Sequence, residues 1–179
     1  MLLADWEIRQ AVAHGELGIA PFDPAAVQPA SYDLRLAEGL LVLEAPLLDS
    51  RQPQQEAWRR VEGRAYQLAP GRLYLAATLE AVRLPRWCAG VLAARSSLAR
   101  MGVRVVGDAG FVDPGFFGQL TLELEVVGPA RVVLYAGQRV AQLALLRLSA
   151  PAERPYLGRY QGAAGPQPSR AWLDAAGEA

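Results

Sequence analysis

The stretch QLTLELEV, residues 119–126, decides the fold class. Its apolar residues fall on every second position, with Gln119, Thr121, Glu123 and Glu125 between them. A strand sends successive side chains to opposite faces, so this segment has one apolar face and one polar face. A helix would scatter the same residues around its surface. Outward from it, short apolar runs recur at 31–36, 40–43, 73–79, 91–94, 103–106, 131–134 and 140–148, divided by glycine and proline turns such as Pro70-Gly71. Regular short strands divided in this way predict a mainly β fold, a sandwich or barrel.

The flanking regions read differently. Residues 5–15 predict one short helix, with Asp5 as its cap, Trp6, Ile8, Ala11 and Val12 as apolar surface, and Gly15 as its end. Pro21, Pro24 and Pro29 then interrupt regular structure. Residues 49–64 are polar and without a period, which predicts an exposed loop. From Ala150 onward prolines, glycines and two tyrosines predict an arm rather than a core element. A chain of 179 residues favours a single domain that buries roughly 70% of its unfolded surface.

All 18 positive charges are arginines and balance 18 acidic residues, so the formal net charge is zero. This argues against non-specific nucleic-acid binding while leaving room for a local arginine cluster around phosphates. His14 and Cys88 are the only histidine and cysteine. They are too few for a His/Cys zinc site, and one cysteine allows no disulfide within the chain. No apolar run is long enough to span a membrane, and acidic residues near the start do not fit a signal peptide. A soluble, cytoplasmic protein is expected, with neither membrane nor nucleic acid as partner.

Three segments depart from the strand pattern. Residues 95–102 (RSSLARMG) suggest a single helical turn capped by Ser96 or Ser97, whose free N–H groups and flanking arginines suit a phosphate chain equally with a solvated surface turn. Residues 108–118 (DAGFVDPGFFG) combine a tight-turn sequence with four large apolar residues, so the turn is expected to be enclosed, its glycines permitting close approach of a ligand. Residues 156–170 (YLGRYQGAAGPQPSR) form an arm able to fold over an anion. The polar face of residues 119–126 gains chemical meaning only if something covers it, because enclosure would raise the pKa of its carboxylates.

Taken together, RSSLAR at 95–100, AGFVDPGF at 109–116, TLE at 121–123, AGQRVAQ at 136–142 and RYQG at 159–162 resemble the dCTP deaminase family in order and spacing. QPASYDLRL at 28–36 resembles the first motif of that family, which belongs to the trimeric dUTPase-like superfamily. The resemblance implies a β-clip, a distorted jelly-roll barrel, over residues 1–155, and an arm over 156–179 that closes on the nucleotide. It further implies a homotrimer with active sites at subunit interfaces and no zinc.

The resemblance also implies roles. Glu123 shuttles protons while water attacks the ring carbon bearing the amine, and this suits an enclosed carboxylate. Ser96 and the Ala109 carbonyl hold the water. Arg100 belongs with Glu123 and Ser96 to the catalytic set. Arg95, Ser97 and Arg100 bind the triphosphate, with magnesium bound through the phosphates and no metal ligand from the protein. Asp113 meets the sugar hydroxyl, Gln142 supports the site, and Tyr156, Arg159 and Tyr160 close over the nucleotide. Glu125 is read as structural.

Four positions depart from the family pattern: Asp108 for threonine, Val106 for histidine, Ala163 for glutamine and Arg159 for lysine. Asp108 leaves three readings open: repulsion of the triphosphate, a raised pKa at Glu123, or an altered base preference. The leading functional expectation is deamination of dCTP to dUTP and ammonia. The alternatives are a bifunctional enzyme giving dUMP and pyrophosphate, a plain dUTPase, and a non-catalytic nucleotide-binding module. The nucleotide partners expected are dCTP and dUTP, with dTTP as a feedback ligand.

Overall fold

The structure, a computed structural model, describes residues 1–105 and 109–176. One helix, α1 (Asp5–Ala13), precedes the strands β1 (Gly18–Ala20), β2 (Val27–Gln28), β3 (Ser31–Arg35), β4 (Leu40–Leu43), β5 (Trp58–Val61), β6 (Ala65–Leu68), β7 (Tyr74–Arg83) and β8 (Cys88–Ala94). A helical turn, α2 (Ser96–Ala99), separates these from β9 (Val103–Arg104), β10 (Phe111–Val112), β11 (Phe117–Val126), β12 (Val132–Tyr135) and β13 (Arg139–Arg147), and α3 (Trp172–Ala176) follows the arm. One sheet runs β5-β4-β7-β11-β9 with β1 also on β7; a second runs β10-β8-β13-β3-β2; β12 and β6 form a ribbon. The expected mainly β class is what the chain adopts.

The alternation of 119–126 appears as strand β11. Leu120, Leu122, Leu124 and Val126 are buried in the core, where β3 adds Tyr32 and Leu34, and β13 adds Leu143 and Leu145. Removing one such buried leucine side chain costs about 2–5 kcal/mol, because the lost transfer energy is joined by the cavity left behind. With that face fixed inside, the period of two forces Gln119, Thr121, Glu123 and Glu125 outward.

Strand β11 pairs with β7 through a register shift: Gln119 lies opposite Ala81, but Thr121 lies opposite Ala77. The extra residues of β7 are put to use. Leu120 N–H donates to the Thr78 hydroxyl at 3.0 Å, and that hydroxyl donates to the Glu80 carbonyl at 2.7 Å. The Glu80 carboxylate, fully buried, accepts from Arg35 N at 2.8 Å and from Arg35 Nε at 2.6 Å, so the bulge bonds β7 to β3 of the other sheet. A buried carboxylate is tolerable only with such partners.

Several local expectations need correction. Ala4, not Asp5, is the N-cap of α1, and Glu7 Oε2 reaches back to accept the Ala4 N–H at 2.9 Å. Trp6 points to solvent at 62% exposure, whereas Gly15 follows the helix with φ 71° as expected. Arg95, not a serine, is the N-cap of α2, and no side chain caps it. Residues 49–64 are not all loop: β5 pairs residue for residue with β4, and Arg59 on it meets Glu44 at 2.7 Å. Its polar composition hid a strand stabilised by backbone pairing and by charge on its outer face. Strand β6, with only four alternating residues, was not anticipated either.

The arm is ordered along the edge of β11. Ala163 forms a parallel bridge with Gly118, and Gln119 N–H donates to the Ala163 carbonyl at 2.8 Å. Gly118 has φ 142°, and a Cβ there would lie 2.7 Å from the Ala163 nitrogen, so only glycine admits the arm this closely.

Candidate active site

The polar face of β11 opens on a cavity of about 620 Å³, within the range of small-molecule sites. Leu73, Leu75 of β7 and Leu92 of β8 give it an apolar floor, and four further parts of the chain line it. Strand β11 contributes Gln119, Thr121 and Glu123; the segment before it contributes Ala109, Phe111 and Asp113; the arm contributes Tyr156, Tyr160, Ala163, Gln167 and Ser169; and the excursion after β4 contributes Leu48, Gln54 and Trp58. Glu123 is half-buried and projects from the rigid strand, in register opposite Leu75 of β7.

The segment 109–116 is shaped by its turn. Phe116 N–H donates to the Asp113 carbonyl at 3.1 Å, and Gly115 takes φ 91° at the corner. A Cβ on Gly115 would lie 2.5 Å from Pro155 Cβ, which lets the arm enter tightly. Val112 and Phe116 are buried, while Asp113 is left exposed at the cavity's edge.

The arm is held by its own aromatics. Tyr156 N–H donates to the Pro114 carbonyl at 2.7 Å, and its ring tilts against Phe116 at 5.9 Å between centroids. Tyr160 N–H donates to the Tyr156 hydroxyl at 3.2 Å, and Arg170 N–H to the Tyr160 hydroxyl at 3.0 Å. Arg159 does not line the cavity. It forms an ion pair with Asp174 of α3 and donates to the Arg170 carbonyl at 2.7 Å. The Arg159 guanidinium, hydrogen-bonded to the Asp174 carboxyl, holds it below the usual carboxylate range.

The remaining expected site residues form a second group. Arg95, Ser96, Ser97, Arg100 and Gln142 are absent from the cavity wall, and Ser96 and Ser97 on α2 and Arg100 at its C-cap are exposed. Leu98 anchors this turn in the core. Beneath it Asp33, only 2% exposed, lies 3.4 Å from Arg95 Nη2 and 3.8 Å from Arg139 Nη1. Burial pushes the Asp33 carboxyl up, and the two guanidiniums offset part of that rise. Gln142, paired in register with Asp33, donates to the Ala94 carbonyl at 3.4 Å beside Arg95.

The structure therefore brings together Glu123, Ala109, Asp113, Tyr156 and Tyr160, and gathers Arg95 and Gln142 elsewhere. Val106 and Asp108 lie outside the described residues. Sequence reasoning missed Gln119, Thr121, Gln167, Ser169, Trp58 and Asp33. Gln119 and Thr121 did carry a signal, since they share the face of Glu123. Among the described residues, no group of three His, Cys, Asp or Glu side chains could hold a metal ion. Cys88 is buried with its thiol pushed up to about 11 by that burial, so it is protonated at neutral pH. No described helix is long and apolar enough to cross a membrane.

A mainly β chain with a carboxylate facing a cavity, covered by its own C-terminal segment, defines the class. The family model described as dCTP deaminase-like matches residues 2–148, and the chain belongs to that family. It is 43% identical over 189 residues to a Corynebacterium efficiens protein named dCTP deaminase, dUMP-forming, covering 99% of this chain and 98% of that protein. A Corynebacterium jeikeium protein of the same name is 44% identical over 186 residues, covering 97% and 98%. Among solved structures, the 2′-deoxycytidine 5′-triphosphate deaminase from Agrobacterium tumefaciens superposes with a TM-score of 0.65 at 26% identity. That match covers 80% of this chain and 47% of the other, so the chain spans about half the length of that solved protein.

Proposed function

We propose that the chain is a hydrolase that deaminates dCTP and carries the nucleotide on to dUMP and pyrophosphate. The observation that supports it most is Glu123 on the rigid strand β11, sharing one covered cavity with Ala109 and Asp113. In this reading water adds to the ring carbon bearing the amine. Glu123 takes a proton from that water and returns it to the departing nitrogen, which leaves as ammonia. A second water then cleaves the triphosphate between its first and second phosphates. The leading expectation from sequence ended at dUTP; the name shared by the Corynebacterium relatives favours the two-step alternative instead.

The cavity accounts for base and sugar, with Asp113 at the hydroxyl and Tyr156 and Tyr160 closing from the arm. The triphosphate falls to Arg95, Ser97 and Arg100, with Ser96 at the water and Gln142 beside them. Because these residues stand outside the cavity of their own chain, we place them at the cavity of a neighbouring copy in a homotrimer. Magnesium, carried by the triphosphate, would neutralise phosphate charge. dTTP, which differs from the product class at the base, is the feedback ligand expected at the same site, and the cytoplasm is the compartment expected.

One product assay tests the reading. The chain is incubated with dCTP and magnesium while ammonia, dUTP, dUMP and pyrophosphate are followed. Ammonia with dUMP and pyrophosphate supports the two-step reaction. Ammonia with accumulating dUTP returns the single-step enzyme, and bound nucleotide without either product overturns catalysis.

A further inference from the structure

We infer that Gln119 and Thr121 are positioning residues that set the register of the arm over Glu123. The arm runs beside β11 and meets it at 117, 119 and 121, with three arm residues to two of β11 over the first step and two to two over the second. Gly162 N–H donates to the Phe117 carbonyl at 2.7 Å, Gly165 N–H to Gln119 Oε1 at 2.6 Å, and Gln167 N–H to Thr121 Oγ1 at 3.1 Å. Two residues of β11 thus correspond to two residues of the arm, from 119 and 165 to 121 and 167. The next step of the same register pairs position 123 with position 169, and Glu123 and Ser169 do line the same cavity.

The geometry separates this role from ordinary strand polarity. A solvated strand face needs only hydrophilic side chains, yet both oxygens here accept backbone N–H groups from one distant segment, 46 residues away. Backbone donors carry no sequence information, so the side chains of β11 fix the register while the arm supplies a ribbon. Gln119 is itself oriented, because its Nε2 donates to the Leu79 carbonyl at 3.3 Å within the β7 bulge. Pro166 and Pro168, flanking Gln167, have no N–H and leave that residue as the local donor. The tether and the proton-transferring group therefore share one rigid strand, and arm closure is referred to the position of Glu123.

Tryptic cleavage after Arg159 and Arg170, followed by intact mass in the full chain without nucleotide, tests the tether itself. Thr121→Val removes the acceptor and should speed both cleavages about fivefold, the weight of one net hydrogen bond, whereas Thr121→Ser keeps the native rate. Gln167→Pro removes the donor from the arm, together with the Gln167 side-chain bonds to Ala164, Gly165 and Arg170, and leaves β11 untouched, so it should speed both cleavages at least as much as Thr121→Val even if that variant folds poorly. Native cleavage rates in Gln167→Pro would overturn the inference.

The kinetic consequence rests on the proposed nucleotide activity. Thr121→Val should raise KM for dCTP about fivefold while kcat falls less, and Thr121→Ser should restore both. A loss in kcat alone, with KM unmoved, would overturn a positioning role. If the native chain turns over no dCTP, the functional reading fails, and proteolysis still decides the tether.

Discussion

The cavity wall and the α2 turn hold the two halves of the expected site, and they are built in opposite ways. Glu123, Ala109, Asp113 and the arm tyrosines converge on one cavity, fixed by a core strand and a close-fitting arm. Ser96, Ser97 and Arg100 stand exposed on a single turn anchored through Leu98, with Arg95 held from below by a buried carboxylate. The cavity half suits proton transfer, which needs fixed geometry. The exposed half suits a highly charged chain approached from outside. One copy carries both halves and unites neither, which is why the proposed trimer is part of the chemistry rather than a packaging detail.

The largest effect expected from breaking this comparison comes at Glu123. Glu123→Gln should lower ammonia release about a thousandfold while dCTP still binds, measured by product formation and by calorimetry. Arg100→Ala should also be inactive through loss of phosphate contact. If the halves meet between copies, randomly mixed trimers of the two variants regain about a quarter of their sites, as the symmetry of a ring requires. Mixed trimers without activity would place both halves of each site in one subunit.

A middle-sized effect is expected beneath α2. Burial raises the Asp33 pKa, so the folded chain holds this proton more tightly than the unfolded chain does. Stability from this group is therefore lost as pH rises from the ordinary carboxylate range through the raised value. Asp33→Asn should match or exceed native stability at neutral pH and lose that advantage in acid, followed by thermal unfolding. The same variant frees Arg95 and should raise KM for dCTP about fivefold, the weight of one charge contact. An unchanged KM would detach Asp33 from the phosphate half.

The smallest effect concerns the latch at the end of the arm. Asp174 occupies the Arg159 guanidinium, and if the arm brings Arg159 to the nucleotide, as the family resemblance implies, a phosphate would have to displace that carboxylate. Asp174→Asn should lower KM about twofold, as befits an exposed ion pair. A rise in KM would instead make the latch a support for closure.

Much of this division was legible from sequence. The strict alternation of 119–126 could be satisfied only by a strand with its leucines inside, and the placement of Glu123 followed from it. The turn at Asp113-Pro114-Gly115 and the glycine-rich arm were readable because few residues other than glycine and proline take those conformations. Strand β5 was not, since Arg59 and Arg60 resemble any solvated loop until backbone pairing with β4 is known. The tether was hidden for a related reason: Gln119 and Thr121 look the same whether they meet water or a backbone 46 residues downstream. The capping of α2 was misread because serine hydroxyls are frequent caps, whereas here the N-cap position falls one residue earlier, at Arg95.

The division of β11 into an apolar and a polar face has a further bearing on how such a chain can change over generations. Positions 122, 124 and 126 lie in the core, 120 lies in the core and also reaches the cavity, and 119, 121 and 123 face the cavity. Because the two sets alternate, a library confined to 119 and 121 samples new arm registers while the leucines beneath and Glu123 stay in place. The strand thus lets the hold on the arm and the packing of the core be varied largely at different residues of one segment.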